Sequence, residues 1–202
     1  MKSLDYIEKW LKENLSAKRY SHSLGCATRA QELAKLYGED ENKAYIAGLV
    51  HDCAKNLPDS ELYTLIKDEI KTGFDNSELK NPKTYHAIAG AYLVKKYFEI
   101  DDNDIIQAVR KHTIGDVNMS LFEKIIFLAD KIEPNQRDEK YVKKIMKLVK
   151  KNEGITGLDI ALLKCFIETI KSLVKRKLYI CPKTIDVYNV LVEKAGEYLE
   201  ED

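Results

Sequence analysis

The sequence has no long apolar run, no net charge and no paired-cysteine motif, and each absence removes a class of protein. No uninterrupted apolar stretch approaches the roughly 18 residues of a membrane span, and the N-terminal MKSLDYIEKWLKENL carries Asp5 and Glu8 where a signal peptide has its uncharged core. The expectation is a cytoplasmic protein with no membrane partner. Lys plus Arg and Asp plus Glu both total 33, so no global field draws the chain to nucleic acid, and any anion site has to be local. Cys26, Cys53, Cys165 and Cys181 form no CxxC pair and no disulfide-like framework. They read as free, buried thiols in a reducing compartment, although Cys26 and Cys53 lie close enough to His22 and Asp52 for thiolate ligation to be weighed. Alternating strand patterns, internal repeats and low-complexity segments are also missing.

What remains is helical periodicity. At 202 residues the chain fits one domain with a substantial core. Leu4, Ile7, Leu11 and Leu15 form one stripe with Ser3 as cap, and a second helix runs from about Ser16 to Gly38, a good left-handed terminator. Asp40 caps a helix expected to end in His51-Asp52, with Pro58 closing it, and Ser60 opens a helix from Glu61 to about Lys71. Residues 72–83 read as a surface loop, and Asn81-Pro82 as the start of the helix carrying His86 and Gly90. The cluster Asp101 to Asp104 caps a helix through His112 to Gly115, Ser120 with Glu123 forms a capping box, and Pro134 stops the helix that holds Asp130. Helices follow at about 138–151 and 158–177, then an extended stretch 178–182 and a last helix from Thr184. The expected architecture is an all-α bundle of about ten helices. Metal-site helices at about 16–134 are expected to carry the C-terminal helices, about 138–200, packed on them.

The chemistry is concentrated in few residues. The chain has only four histidines, His22, His51, His86 and His112, each in or at the end of an apolar-periodic segment, and Asp130 lies within the apolar run around Ile125 to Ala129. Neutral imidazoles with carboxylates suit divalent iron, manganese, cobalt or zinc, one or two ions. His22, His51, Asp52 and Asp130 come from three helices, so a common metal would tie them together. Adjacent residues on a helix diverge by about 100 degrees, so His51 and Asp52 can share an ion only near a helix end. Each histidine taken alone reads as a hydrogen-bonded core residue, and it is the joint pattern that points to a metal, an unpaired carboxylate in a segment as apolar as that of Asp130 being costly without a cation. His86 and His112 read as the rim of the site, Lys55 as a charge for phosphate oxygens, and Arg137 as a planar phosphate clamp or an exposed arginine. The six lysines among residues 140–151 occupy positions complementary to the apolar stripe, as a solvated face would.

The order H…HD…H…H…D resembles the HD-domain superfamily of metal-dependent phosphohydrolases. Longer strings are similar to one branch of it. They are Arg19-Tyr20-Ser21-His22-Ser23-Leu24-Gly25, Ala47 to Lys55, His86 to Ala91, Val109 to Gly115, and Met119 to Pro134. Together they resemble the bacterial YqeK-like symmetrical bis(5′-nucleosyl)-tetraphosphatases. The resemblance implies an iron site at His22, His51, Asp52 and Asp130, and a nucleotide held near Gly25, Lys55, His86, His112 and Arg137, with Tyr179 as the guess for the base. It implies hydrolysis of diadenosine tetraphosphate to two ADP, and a mechanism read from the residues is compatible with that: Asp52 or Asp130 orients the attacking water, His86, His112 and Lys55 meet phosphate charge, and His112 is the general acid if one is used. Other HD hydrolases, acting on nucleoside monophosphates, deoxynucleoside triphosphates or cyclic dinucleotides, fit the same ligands, as does a nucleotide-sensing module without turnover. A homodimer is left open.

Overall fold

The structure, a computed structural model, describes residues 1–70, 77–135, 137–151 and 154–198, without the side chains of 68–70 and 154–155. Ten α-helices and three short 3-10 turns make up the described residues, with no strand among them, so the all-α bundle expected from periodicity is what forms. No described helix is long and apolar enough to cross a membrane.

Most boundaries follow local capping chemistry. Helix α1 (Leu4–Asn14) starts at Ser3, α2 (Ala17–Tyr37) runs from Ser16 to a left-handed Gly38 with φ 74, and α3 (Glu41–Val50) starts at Asp40. In each case the cap side chain accepts a backbone N–H that the first turn leaves without a helical partner. Asp102 caps α6 (Asn103–Lys111), and Ser120 with Glu123 forms a complete capping box for α7 (Leu121–Ile132).

Other boundaries move. Helix α3 ends at Val50, not near Pro58, and residues 51–57 continue as a chain of tight turns in which Cys53, Lys55 and Leu57 each donate to the carbonyl three residues back. Helix α4 (Asp59–Ile70) follows. Of the loop expected at 72–83, residues 72–76 lie outside the described residues, whereas Glu78–Lys80 and Pro82–Thr84 form 3-10 turns. Asn81 does cap, but it caps the second of these turns, and α5 (Tyr85–Phe98) begins after it. Helix α6 stops at Lys111, one turn before Gly115. Helix α8 (Glu139–Lys151) is as expected, while α9 (Gly154–Lys175) and α10 (Pro182–Ala195) start earlier than their periodicity suggests.

Helices α2, α3, α5, α6 and α7 pack around the site, and α8, α9 and α10 close the end of the bundle beyond α7. The closest approach is that of α3 to α2. A Cβ on Gly48 would lie 2.8 Å from Ala27 Cα and 2.9 Å from Cys26 O, so only glycine lets the two backbones touch here. That contact brings the end of α3, with His51, against the face of α2 that carries His22. Phe127 of α7 stacks on Phe166 of α9 at 4.8 Å between ring centres, joining the two halves of the bundle. All six lysines of α8 are exposed, with Val142, Ile145 and Val149 buried beneath them, which is the solvated face the sequence suggests.

Candidate active site

Two helices end in histidine, and both use the same local device. His51 caps α3 and His112 caps α6. Each turns its Nδ1 back to the carbonyl three residues earlier, Gly48 and Val109, at 2.7 Å. A carbonyl only accepts, so Nδ1 carries the proton and the Nε2 lone pair points inward. Those carbonyls are among the last of a helix, which lack helical donors. The end of the helix therefore sets the tautomer.

His22 is oriented by a different partner. Its Nδ1 donates to Glu133 Oε1 at 3.1 Å, and Glu133, wholly buried, also accepts from the Asn135 backbone N–H at 2.7 Å. Glu133 sits at the C-cap of α7 with extended backbone, φ −62 and ψ 144, as the residue before Pro134 must. The same carboxylate explains Gly25, since a Cβ there would lie on Glu133 Oε2 and 3.1 Å from the Asn135 side chain. Gly25, expected to touch substrate, is instead covered by these two residues.

The inward atoms converge. His22 Nε2 lies 3.2 Å from His51 Nε2 and 3.0 Å from Asp130 Oδ1, and His51 Nε2 is 3.7 Å from the same oxygen. Asp52 Oδ2 is 3.8 Å from His22 Nε2 and 3.6 Å from His51 Nε2. His22, His51 and Asp130 offer ligand atoms that all lie within 4.8 Å of one another, and so do His51, Asp52 and His112, two overlapping donor groups that share His51. Four of the expected residues thus meet at one point, and His112 joins them from the side. Both cysteines near the site are buried, with their thiols pushed upward by desolvation first, and neither Sγ belongs to the converging donor groups.

The donor set fits a cation on chemical grounds. Burial alone would raise the carboxyls of Asp52 and Asp130, but both are held well below the usual range, Asp130 by Lys131 first, and Arg19 donates to Asp52 Oδ2. Burial pushes His51 down to about 3 and His86 down to about 4, so both rings are neutral. Two ionised carboxylates therefore face the neutral rings of His51 and His86, while Asp130, Asp52 and Glu133 raise the pKa of His22 against its burial, and a divalent cation satisfies this buried negative charge. Asp52 Oδ1 is buried with no hydrogen-bond partner, although His86 Nε2 at 3.2 Å and His112 Nε2 at 3.4 Å lie near it without the angle to bond.

Cations surround this centre. Arg19 donates to Asp52 Oδ2 at 2.7 Å, and Lys131 to Asp130 Oδ2 at 2.6 Å. Lys55 Nζ lies 2.9 Å from His86 Nε2 and 3.9 Å from Asp52 Oδ1, and burial lowers its pKa despite those carboxylates. Arg137, expected as a phosphate clamp, spends Nε and Nη2 on the Asp130 carbonyl at 3.2 and 3.0 Å and stands at the rim. His86 and His112 are buried, 3.2 Å apart at Nε2, with Thr113 Oγ1 at 3.2 and 3.1 Å from the two nitrogens. Tyr179 lines a cavity of about 260 Å³ that also takes in Lys55, Thr113 and Lys131.

A family model described as HD domain matches residues 19–135, which span every residue of the donor set. The chain belongs to the HD domain family. A symmetrical bis(5′-nucleosyl)-tetraphosphatase of Halalkalibacterium halodurans is 41% identical over 90% of this chain and 93% of its own length. The protein of the same description in Bacillus subtilis is 38% identical over 90% of this chain and 94% of its own. A crystal structure of a "predicted HD superfamily hydrolase involved in NAD metabolism" from Clostridium acetobutylicum superposes with a TM-score of 0.86 at 41% identity, covering 96% of this chain and 98% of that one. As an HD domain, the chain is a metal-dependent phosphohydrolase whose buried His and Asp groups can hold the metal.

Sequence reasoning passed over Glu133, Arg19, Lys131 and Thr113 as functional residues. Glu133 did leave a signal. His22 and Gly25 are three apart on α2, Asp130 and Glu133 three apart on α7, and the two helices pack together, so the pairs face each other.

Proposed function

We propose that this HD domain is a cytoplasmic, metal-dependent symmetrical bis(5′-nucleosyl)-tetraphosphatase that cleaves diadenosine tetraphosphate to two ADP. The observation that carries it is the buried meeting of His22, His51, Asp52 and Asp130 inside a ring of Arg19, Lys55, Lys131 and Arg137, in a chain 41% identical to an enzyme of that activity. In this reading His22, His51, Asp52 and Asp130 hold the cation; their nitrogen and oxygen donors suit iron, manganese, cobalt or zinc alike, and the family resemblance implies iron. A bound ion of this kind supplies charge neutralisation on phosphoryl oxygens and a water acidified to a pKa of about 7.

The chain's own groups do the rest. Asp52 Oδ1, buried without a partner, accepts a hydrogen bond from the attacking water and aims it in line with phosphorus. Lys55, braced by His86, and Arg137, braced on the Asp130 carbonyl, meet the charge that builds on the phosphoryl oxygens. Nε2 of His112 is a lone pair while its Nδ1 is tied to Val109 O, so His112 orients rather than donates, and a nucleoside diphosphate leaves without a strong acid. Tyr179, Leu178 and Ile114 give the adjoining cavity an apolar wall for a base.

Product analysis tests this. Purified chain loaded with iron or manganese and given diadenosine tetraphosphate yields ADP alone. Formation of AMP with ATP would refute the symmetrical reading, and turnover of deoxynucleoside triphosphates or cyclic dinucleotides in its place would point to another HD hydrolase. His51→Ala and Asp52→Ala abolish both metal retention and hydrolysis with helix content kept.

A further inference from the structure

Symmetrical cleavage of a tetraphosphate sets the reacting phosphorus at the donor cluster, with a nucleoside diphosphate arm leading away on each side. Two cavities adjoin the cluster, one through His22 itself and the other through its neighbours Lys55, Thr113 and Lys131, and their linings differ. The one at Lys55, Thr113 and Lys131 also holds Lys83 and Arg176, but beside these cations Ile114, Leu173, Leu178 and Tyr179 make an apolar and aromatic wall. The other, about 330 Å³, is lined by Ser16, Lys18, Arg19, His22, Asn56 and Arg137. Among the described residues it has three permanent cations, no carboxylate and no apolar side chain, its one aromatic ring being the His22 imidazole. His22, a member of the donor cluster and 4% exposed, opens into it. A base needs a flat apolar surface to displace water, which this lining does not offer, whereas phosphate oxygens need what it has.

We propose that the two ends of the substrate are recognised unequally: the Tyr179 cavity holds a nucleoside, and the Arg19 cavity grips phosphates alone. This rests on the tetraphosphatase reading and extends its substrate class, because the second terminus need not be a nucleoside. Nucleoside 5′-tetraphosphates are then substrates too. The bond that breaks joins the bridging oxygen to the second or third phosphorus. The oxygen of water bonds to that phosphorus, the bridging oxygen leaves with the electron pair on the other fragment, and one proton is released. Adenosine 5′-tetraphosphate gives ADP and pyrophosphate, with no redox step and no co-reactant beyond water.

The metal-loaded full chain is incubated with diadenosine tetraphosphate and, in parallel, adenosine 5′-tetraphosphate, and products are separated by ion exchange. The expected result is cleavage of both, the second to ADP and pyrophosphate, with kcat/KM within about tenfold, or about 1.4 kcal/mol, of the first. Lys18→Glu, a change at an exposed position, raises KM for both by the same factor. Cleavage of the dinucleotide with a loss of more than tenfold for the tetraphosphate overturns the proposal and leaves the tetraphosphatase reading standing. So does a Lys18→Glu defect confined to the dinucleotide, or release of ATP and phosphate from adenosine 5′-tetraphosphate. Failure to cleave either compound overturns both.

Discussion

Replacing Glu133 by Gln tests whether the metal centre is set by residues behind its ligands. Glu133 is wholly buried, and its two oxygens accept from His22 Nδ1 at 3.1 Å and from the Asn135 N–H at 2.7 Å. Glutamine keeps the size and replaces one acceptor by an NH2 donor. Whichever way the amide turns, it faces a donor: His22 Nδ1–H in one orientation, the Asn135 N–H in the other. A buried donor left without an acceptor costs about 1–3 kcal/mol. Loss of the negative charge also makes His22 a poorer electron donor, and removal of such an outer partner lowers metal affinity about 10–100-fold. The assay is calorimetric titration of chelator-stripped protein with Mn²⁺, with circular dichroism to confirm the fold. A dissociation constant within about threefold of wild type, a difference well under 1.4 kcal/mol, refutes the idea that Glu133 holds His22 for a cation.

Lys55→Ala lowers kcat without releasing metal, by at most about 10²-fold, the scale of losing one preorganised charge, because its side chain is 31% in water already; unchanged turnover returns Lys55 to the solvent. Gly48→Ala puts a Cβ 2.8 Å from the α2 backbone, which cannot swing aside as a side chain can, and destabilises by about 1–3 kcal/mol. Thermal unfolding reads this as about 2–4 °C for each kcal/mol in a domain of this size. Ser120→Ala opens the α7 capping box at a cost of about 1 kcal/mol with metal affinity unchanged. Metal at 100 times its dissociation constant raises the stability of stripped protein by about 2.7 kcal/mol, measured as a rise in Tm that His51→Ala abolishes.

Capping explains which parts of this fold were legible in the sequence. Ser3, Ser16, Asp40, Asp102 and Ser120 cap because a side chain three residues from a free N–H satisfies it whatever the tertiary surroundings. Helix ends that depend on distant packing were misplaced. Residues 51–57 include only Ala54, Lys55 and Leu57 as strong helix formers, and the chain leaves α3 at Val50 and proceeds by tight turns. Placing His51 and Asp52 on one point rules out a regular helix there, because neighbours on a helix point about 100 degrees apart. The geometric objection raised by the adjacent His and Asp was sound, and the structure answers it by ending the helix one residue before the pair.

The site divides the same way. Ligand types were readable because four histidines and a buried aspartate in apolar segments demand a joint explanation. Two of their supports were not, because each joins elements far apart in sequence: Glu133 reaches His22 across 111 positions, and Arg19 reaches Asp52 across 33, whereas Lys131 and Thr113 sit beside Asp130 and His112 and carried no pattern of their own. Arg137 keeps the phosphate role proposed for it, but the Asp130 carbonyl that braces its Nε and Nη2 lies seven residues back and follows no helical spacing the sequence shows. Gly25 shows the converse. A glycine near a metal ligand invites a close-contact reading, and the contact is real, but the partner is the Glu133 carboxylate. The small residue makes room for the group that orients His22, so Gly25 acts on the centre through the protein interior.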